Sequence, residues 1–207
     1  MDKYNSFADL QLDAERWGKH MRTFTIIGGV NGAGKSSFTG SVRDYTDLGI
    51  IINPDEIMSE LPLPPLVSSR HVVQLGNEYL ENGTSFTQES TLSGRRIKEM
   101  ARKAKANGFY VRLVYIGLDS AEESMIRIAN RVRKGGHNID SDKVIYRYNR
   151  RFSDISEMLP LCDEARFYDN ENGFHLVGHY EDNTLFVYKK NPPAWIGDLE
   201  AYLKETQ

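Results

Sequence analysis

The sequence predicts a three-layer α/β/α fold around a mainly parallel five-stranded sheet, followed by a C-terminal β-hairpin and helix. Three observations carry this. Short β-rich runs alternate with helical segments through the middle of the chain, the pattern of a parallel sheet covered on both faces. The 207 residues match the length of one α/β domain, with no long linker to suggest a second. One early strand ends abruptly in a glycine-rich turn that leads straight into a helix, the local arrangement of a phosphate-binding unit.

The elements follow in order. Phe7, Leu10, Ala14 and Trp17 are spaced as one face of a helix reaching about His20. Thr23–Ile27 is the first strand, Lys35–Asp44 a helix and Gly49–Asn53 a second, buried strand. Pro54 suits a first helical turn, where its missing N–H costs nothing. Leu61–Pro65 carries three prolines and reads as an irregular loop. Helical spacing resumes over Ser69–Asn82 and ends at Gly83. Thr84–Gln88 is the third strand, Ser93–Asn107 a helix closed by Gly108, and Phe109–Ile116 the fourth strand. A helix from Ser120 to about Val132 runs into Lys134-Gly135-Gly136-His137, a hinge-like break. Ser141 or Asp142 caps a long helix to about Leu159, and Glu164–Tyr168 is the fifth strand. Phe174–Tyr180 and Thr184–Lys189 form a hairpin around Glu181-Asp182-Asn183, and Trp195 to about Lys204 is the closing helix.

Composition narrows the functional classes. With 40% hydrophobic and 27% charged residues the chain buries an ordinary core, and a net charge of −3 gives no overall pull toward nucleic acid or anionic membrane. Lysine and arginine nevertheless gather at Arg95–Lys105, Arg127–Lys134 and Arg147–Arg151, which leaves room for a local anion site. The single cysteine, Cys162, excludes an intrachain disulfide and any multi-cysteine zinc cluster, and reads as a packing residue. Met1–Leu10 lacks the basic-then-apolar order of a signal peptide, and every apolar run is too short to cross a bilayer, so a cytoplasmic chain is expected.

The strongest motif is Gly29-Val30-Asn31-Gly32-Ala33-Gly34-Lys35-Ser36, a complete G-x-x-x-x-G-K-S with a strand before it and a helix after, and with Ser37 next on the first turn. Glycines let the backbone wrap phosphates so that successive N–H groups point inward, and the helix begins at the anion. Lys35 places its charge on the β- and γ-phosphates of ATP, and the Ser36 hydroxyl can ligate Mg2+. Leu92-Ser93-Gly94 imitates a transporter-ATPase signature, but Arg95-Arg96 follow it and no strand ending in Asp-Glu comes next.

Further segments supply the parts of a small-molecule kinase. Asp55, just after the second strand, can accept the proton of an attacking hydroxyl, and equally suits a helix-start acid. Glu89 with Thr91, after the third strand, offers a carboxylate and a hydroxyl to substrate or metal. Arg127 and Arg131 share a helix face beside the glycine hinge, forming a lid at about 127–140 that can bring positive charge onto a transferring phosphoryl group. His137 either contacts substrate or caps this lid. Two other readings stay open: a kinase of a nucleotide, cofactor or nucleic-acid end, and a regulatory NTP-binding module acting through a partner.

GGVNGAGKSS, IINPDEI, FTQESTLSG, RIANRVRKGGHNI and FYDN, in this order from Thr23 to Asn170, resemble the zeta-toxin family of P-loop kinases and its short, single-domain branch. The resemblance implies a kinase-type P-loop fold, ATP with Mg2+ and a small-molecule acceptor; better-studied relatives phosphorylate the 3′-hydroxyl of the amino sugar in UDP-N-acetylglucosamine. It also brings in an antitoxin protein as a partner. By position, Lys35 and Ser36 match the phosphate- and magnesium-binding pair, Asp55 the activating aspartate, Glu89 and Thr91 substrate-site positions, and Arg127 and Arg131 the phosphate-contacting arginines. After Thr91 the characterised kinases have Gly-Arg where this chain has Leu92-Ser93.

Overall fold

In the computed structural model, residues 10, 14, 17, 22–54, 56–57, 64–136, 138–188 and 192–206 are described. Among the described residues seven strands form one sheet: β1 (Thr23–Gly28), β2 (Ile50–Ile52), β3 (Phe86–Ser90), β4 (Tyr110–Gly117), β5 (Glu164–Asp169), β6 (His175–Glu181) and β7 (Thr184–Val187). Their spatial order is β2-β3-β1-β4-β5-β6-β7. The first five run parallel, and β6 and β7 add antiparallel at the β5 edge. The expected five-stranded sheet and hairpin are therefore one continuous surface.

The helices whose bounds are described are α1 (Lys35–Val42), α2 (Pro65–Asn82), α3 (Arg95–Ala106), α4 (Ala121–Arg133), α5 (Ser141–Met158) and α6 (Ala194–Thr206); most of the expected helix from Phe7 to about His20 lies outside the described residues. Strand alternation sends successive side chains to opposite faces. Phe24 and Ile26 of β1 join Phe86, Leu113 and Phe167 in a core that also takes up Met100 of α3 and Leu199 of α6. Ile27, one residue on, joins Val114, Ile116 and Tyr168 against Phe38 and Val42 of α1. Both layers are apolar, as a sheet covered on two sides requires.

Several boundaries differ from expectation, each for a local reason. The helix placed at Ser69 starts at Pro65, because a proline at the first position loses no hydrogen bond. β3 extends two residues further, to Ser90, so Glu89 lies on the strand rather than after it. The cap of α5 is Asp140, whose carboxylate accepts the Asp142 N–H at 2.9 Å, not Ser141 or Asp142. Ser120 does cap α4, accepting the Glu123 N–H at 3.0 Å.

Two charge clusters with buried members link neighbouring elements. Lys98 of α3 bonds Asp154 at 2.9 Å and Glu157 at 2.7 Å, both on α5. Arg112 of β4 pairs with Glu164 of β5 at 3.0 Å beneath the Trp17 ring.

Candidate functional site

β1 delivers the chain to the glycine-rich loop at the carboxyl end of the central strands, where ligands bind in open α/β sheets. Gly32 and Gly34 hold φ of 76° and 95°, a region that other residues enter at a cost. A Cβ on Gly32 would lie 2.8 Å from the Ser124 carbonyl of α4, so the loop packs directly on that helix. Ser124 also donates its hydroxyl proton to the Asn31 carbonyl. No side-chain hydrogen bond caps α1 at Gly34, and Gly34, Ser36 and Ser37 at its start border the cavity above the loop. Lys35 folds back over this loop and donates to the carbonyls of Gly29 and Val30 at 3.0 and 3.1 Å.

The register Ile27↔Glu89 places Glu89 one strand from the loop, on the face that carries α1. Its carboxylate accepts hydrogen bonds from the Ser36 hydroxyl at 2.8 Å and the Thr39 hydroxyl at 3.0 Å. Only 5% exposed, Glu89 has its pKa pushed above the ordinary carboxylate value by burial, against the pull of those hydroxyls and of Lys35. Asn53, at the end of β2, donates to Ser36 at 3.4 Å and to Glu56 at 3.0 Å. A hydroxyl, a carboxylate and an amide thus converge beside Lys35. That oxygen-rich set suits Mg2+, which favours few protein ligands plus phosphate oxygens. Among the described residues no cluster of three or more His, Cys, Asp or Glu side chains offers an alternative metal cage.

Two cavities open around this point. One, of about 510 Å³, lies between the loop and α4 and is bordered by Gly32, Ser36, Ser37, Arg127 and Arg131. The other, of about 410 Å³, lies on the β3 side and is bordered by Asn53, Gln88, Thr91, Arg96 and Arg147. Asn31, Lys35 and Glu89 line both. Thr91 shares a 2.8 Å hydrogen bond with Ser93, and between them Leu92 is buried at φ 60°, a left-handed conformation unusual for a leucine.

Arg127 is held by Glu123 at 2.5 Å and by the Asn170 carbonyl. Arg131 backs onto the glycine break: the Gly136 N–H donates to the Arg131 carbonyl at 3.0 Å. Val30 and Ala33 are buried, so they serve the loop through backbone and packing. Asp55 and His137 lie outside the described residues.

Sequence reasoning missed three neighbours. Arg147 of α5 donates to the Asn31 side-chain oxygen at 2.9 Å, yet in sequence it is one cation in a basic run. Asn170, after β5, donates to the Ala33 carbonyl at 2.8 Å; FYDN carried the signal without the partner. Asn53 lies two residues before Asp55 in IINPDEI, where the aspartate is the residue with evident acid–base chemistry.

No family model matches the chain. A Haemophilus influenzae protein of uncharacterised function is 38% identical over 125 residues, spanning 58% of this chain and 88% of that one. The chain belongs to that protein's family. Among solved structures, a chain from the PezAT chromosomal toxin–antitoxin system of Streptococcus pneumoniae matches with a TM-score of 0.61 at 16% identity, over 96% of this chain and 92% of its own. A chain from the AvrRxo1-ORF1:-ORF2 structure with ATP matches with a TM-score of 0.60 at 16% identity, over 95% and 67%. At these identities the likeness is one of fold. No helix among the described residues is long and apolar enough to cross a membrane.

Proposed function

We propose that the chain is an ATP-dependent kinase that transfers the γ-phosphate to a hydroxyl of a sugar or nucleotide-sugar acceptor. One observation carries the reading: two cavities of small-molecule size meet at a shared wall of Asn31, Lys35 and Glu89. A hydrolytic switch needs only the first. A transferase needs a second site whose occupant reaches the same phosphorus.

On this reading the triphosphate lies on the loop, in the α4-side cavity. Lys35 exchanges the Gly29 and Val30 carbonyls for phosphate oxygens, and the N–H groups at the start of α1 meet the same anion. Ser36, with Glu89 beside it, would hold Mg2+, which would supply neutralisation of the phosphate charge. The acceptor occupies the β3-side cavity, against Thr91. Its hydroxyl oxygen forms a bond to the γ-phosphorus as the bond to the β,γ-bridging oxygen breaks. ADP leaves, and the hydroxyl proton passes to Asp55, the role its place in the motif supports. Arg127, Arg131 and Arg147 spread positive charge over the equatorial oxygens. The segment at about 127–140 acts as the lid, and its His137 serves either as a contact to the acceptor or as a cap of the lid, the two roles its sequence position supports. A cytoplasmic setting and an antitoxin partner belong to the same proposal, the latter supported by the fold shared with the PezAT system.

The test is γ-labelled ATP with a metabolite extract. A labelled phosphate ester formed by the wild-type chain and absent with Lys35→Ala is the expected result. Label released only as inorganic phosphate favours the regulatory NTPase instead.

A further inference from the structure

The C-terminal helix takes no part in the transfer described above, yet its first turn reaches the donor site in two steps. Trp195 is 1% exposed, packed against Tyr115 and Phe167 and over Gly117, where a Cβ would overlap the indole. Its backbone N–H donates to the Asp119 carboxylate at 3.1 Å. Its indole N–H donates to Oδ1 of Asp169 at 2.9 Å. Asp169 closes β5 and is 7% exposed. Its other oxygen accepts the Glu171 N–H at 3.1 Å, which fixes the bend that follows Asn170. Asn170 then bridges the site: its amide donates to the Ala33 carbonyl and its carbonyl accepts from Arg127.

One buried carboxylate thus uses both oxygens to set the residue that ties the phosphate loop to an arginine of α4. We infer that Trp195 is a positioning residue of the donor site, acting through Asp169 and Asn170 on the loop backbone and Arg127. This rests on the reading of the loop as a triphosphate site. The physical reason is preorganisation: a phosphate cradle works only if its N–H groups and cations are held before the ligand arrives, and Trp195 anchors the side of the loop that β1 does not. Packing alone needs only an aromatic ring at position 195. Positioning needs the N–H and both Asp169 oxygens.

The experiment uses the full chain and a non-hydrolysable ATP analogue with Mg2+, with binding followed by calorimetry. Trp195→Phe keeps a ring and removes the N–H. Asp169→Asn keeps an acceptor for the indole and removes the one for Glu171. Each is expected to weaken the analogue about five- to tenfold, the effect of one lost buried hydrogen bond. The chain has two tryptophans, so Trp17→Phe leaves Trp195 as the sole tryptophan, excited selectively over the tyrosines at the red edge of the absorption band. Its emission is expected to change with saturating analogue, and adding Lys35→Ala is expected to remove the change. Should Trp195→Phe not fold, Asp169→Asn and the emission decide. Wild-type affinity in the folded variants, or emission indifferent to saturating analogue, overturns the inference and leaves the phosphate-loop reading intact. A wild-type chain that binds no analogue overturns both.

Discussion

Glu89 accepts hydrogen bonds from the hydroxyls of both Ser36 and Thr39, and so a carboxylate only 5% exposed is held by the first turns of the helix that follows the phosphate loop. Burial raises its pKa, so the ionised form is the one that burdens the fold. That burden is absent below the ordinary carboxylate pKa and grows as pH rises through the raised one. Glu89→Gln is therefore expected to raise the melting midpoint at pH 7.5, with the gain vanishing toward pH 4, while Mg2+-dependent nucleotide turnover collapses. A gain of about 1 kcal/mol moves the midpoint ~2–4 °C in a chain of this size. Calorimetric melts across pH check it, and a lower midpoint at neutral pH refutes it.

Arg147 ties α5 to the loop through Asn31 and faces the β3-side cavity. Arg147→Ala should lower phosphoryl transfer on the order of tenfold or more while changing ATP affinity far less, because its charge counts mostly in the transition state. Steady-state kinetics with the acceptor from the labelled-ATP screen separate the two effects. Equal loss in both would make it a binding residue only.

Adjacent glycines should respond differently to alanine. A Cβ on Gly136 would come within 2.6 Å of Arg131 Cγ, whereas one on Gly135 meets nothing within 4 Å but sits at φ 90°. Gly136→Ala is expected to displace Arg131 and depress turnover with little change in stability. Gly135→Ala is expected to cost about 1 kcal/mol of stability and leave turnover closer to wild type. The reverse pattern in paired melts and rates would contradict this.

Lys98→Met should be among the most destabilising substitutions outside the site, at about 3–5 kcal/mol, since it strips a 1% exposed Asp154 of its near cation and leaves Arg150 at 3.6 Å. Adding Asp154→Leu should recover a large part of the loss. Urea titrations of the single and double variants measure the coupling.

Cys162 has its thiol pKa pushed up to about 12, first by burial and then by Asp163, and its Sγ donates to the Met158 carbonyl at 3.4 Å. Thiol alkylation at pH 8 is expected to be slow in the folded chain and fast in denaturant. Rapid labelling of the folded protein would show an accessible thiolate instead.

Much of this was legible in the sequence because the loop, the alternation and the hairpin turn are local signals. What was not legible is long-range. Gln88-Glu89-Ser90 reads as the polar exit from a strand, and only the hydroxyls of Ser36 and Thr39 make a buried carboxylate tolerable there. Nothing in residues 174–189 says that the hairpin joins the edge of β5, since an edge accepts either orientation. Arg147, Arg150 and Arg151 are alike in sequence, but Arg147 faces the loop, Arg150 pairs with Asp154 and Arg151 lies over the Tyr148 ring. Their α5 register decides, and register depends on packing.

The strand order carries a consequence for how the chain acquires its shape. β1 is central, and both of its neighbours come later: Phe24 aligns with Phe86 on one side and Val111 on the other. No early hairpin can form around it, so its ladders close large loops before they gain anything. By contrast β6 and β7 meet across Asp182 and Asn183, both at positive φ, a turn that zips locally. Refolding should therefore begin at the β6–β7 hairpin and the helices, and finish at the phosphate loop. The loop can form last because the strand beneath it has to wait for β3 and β4.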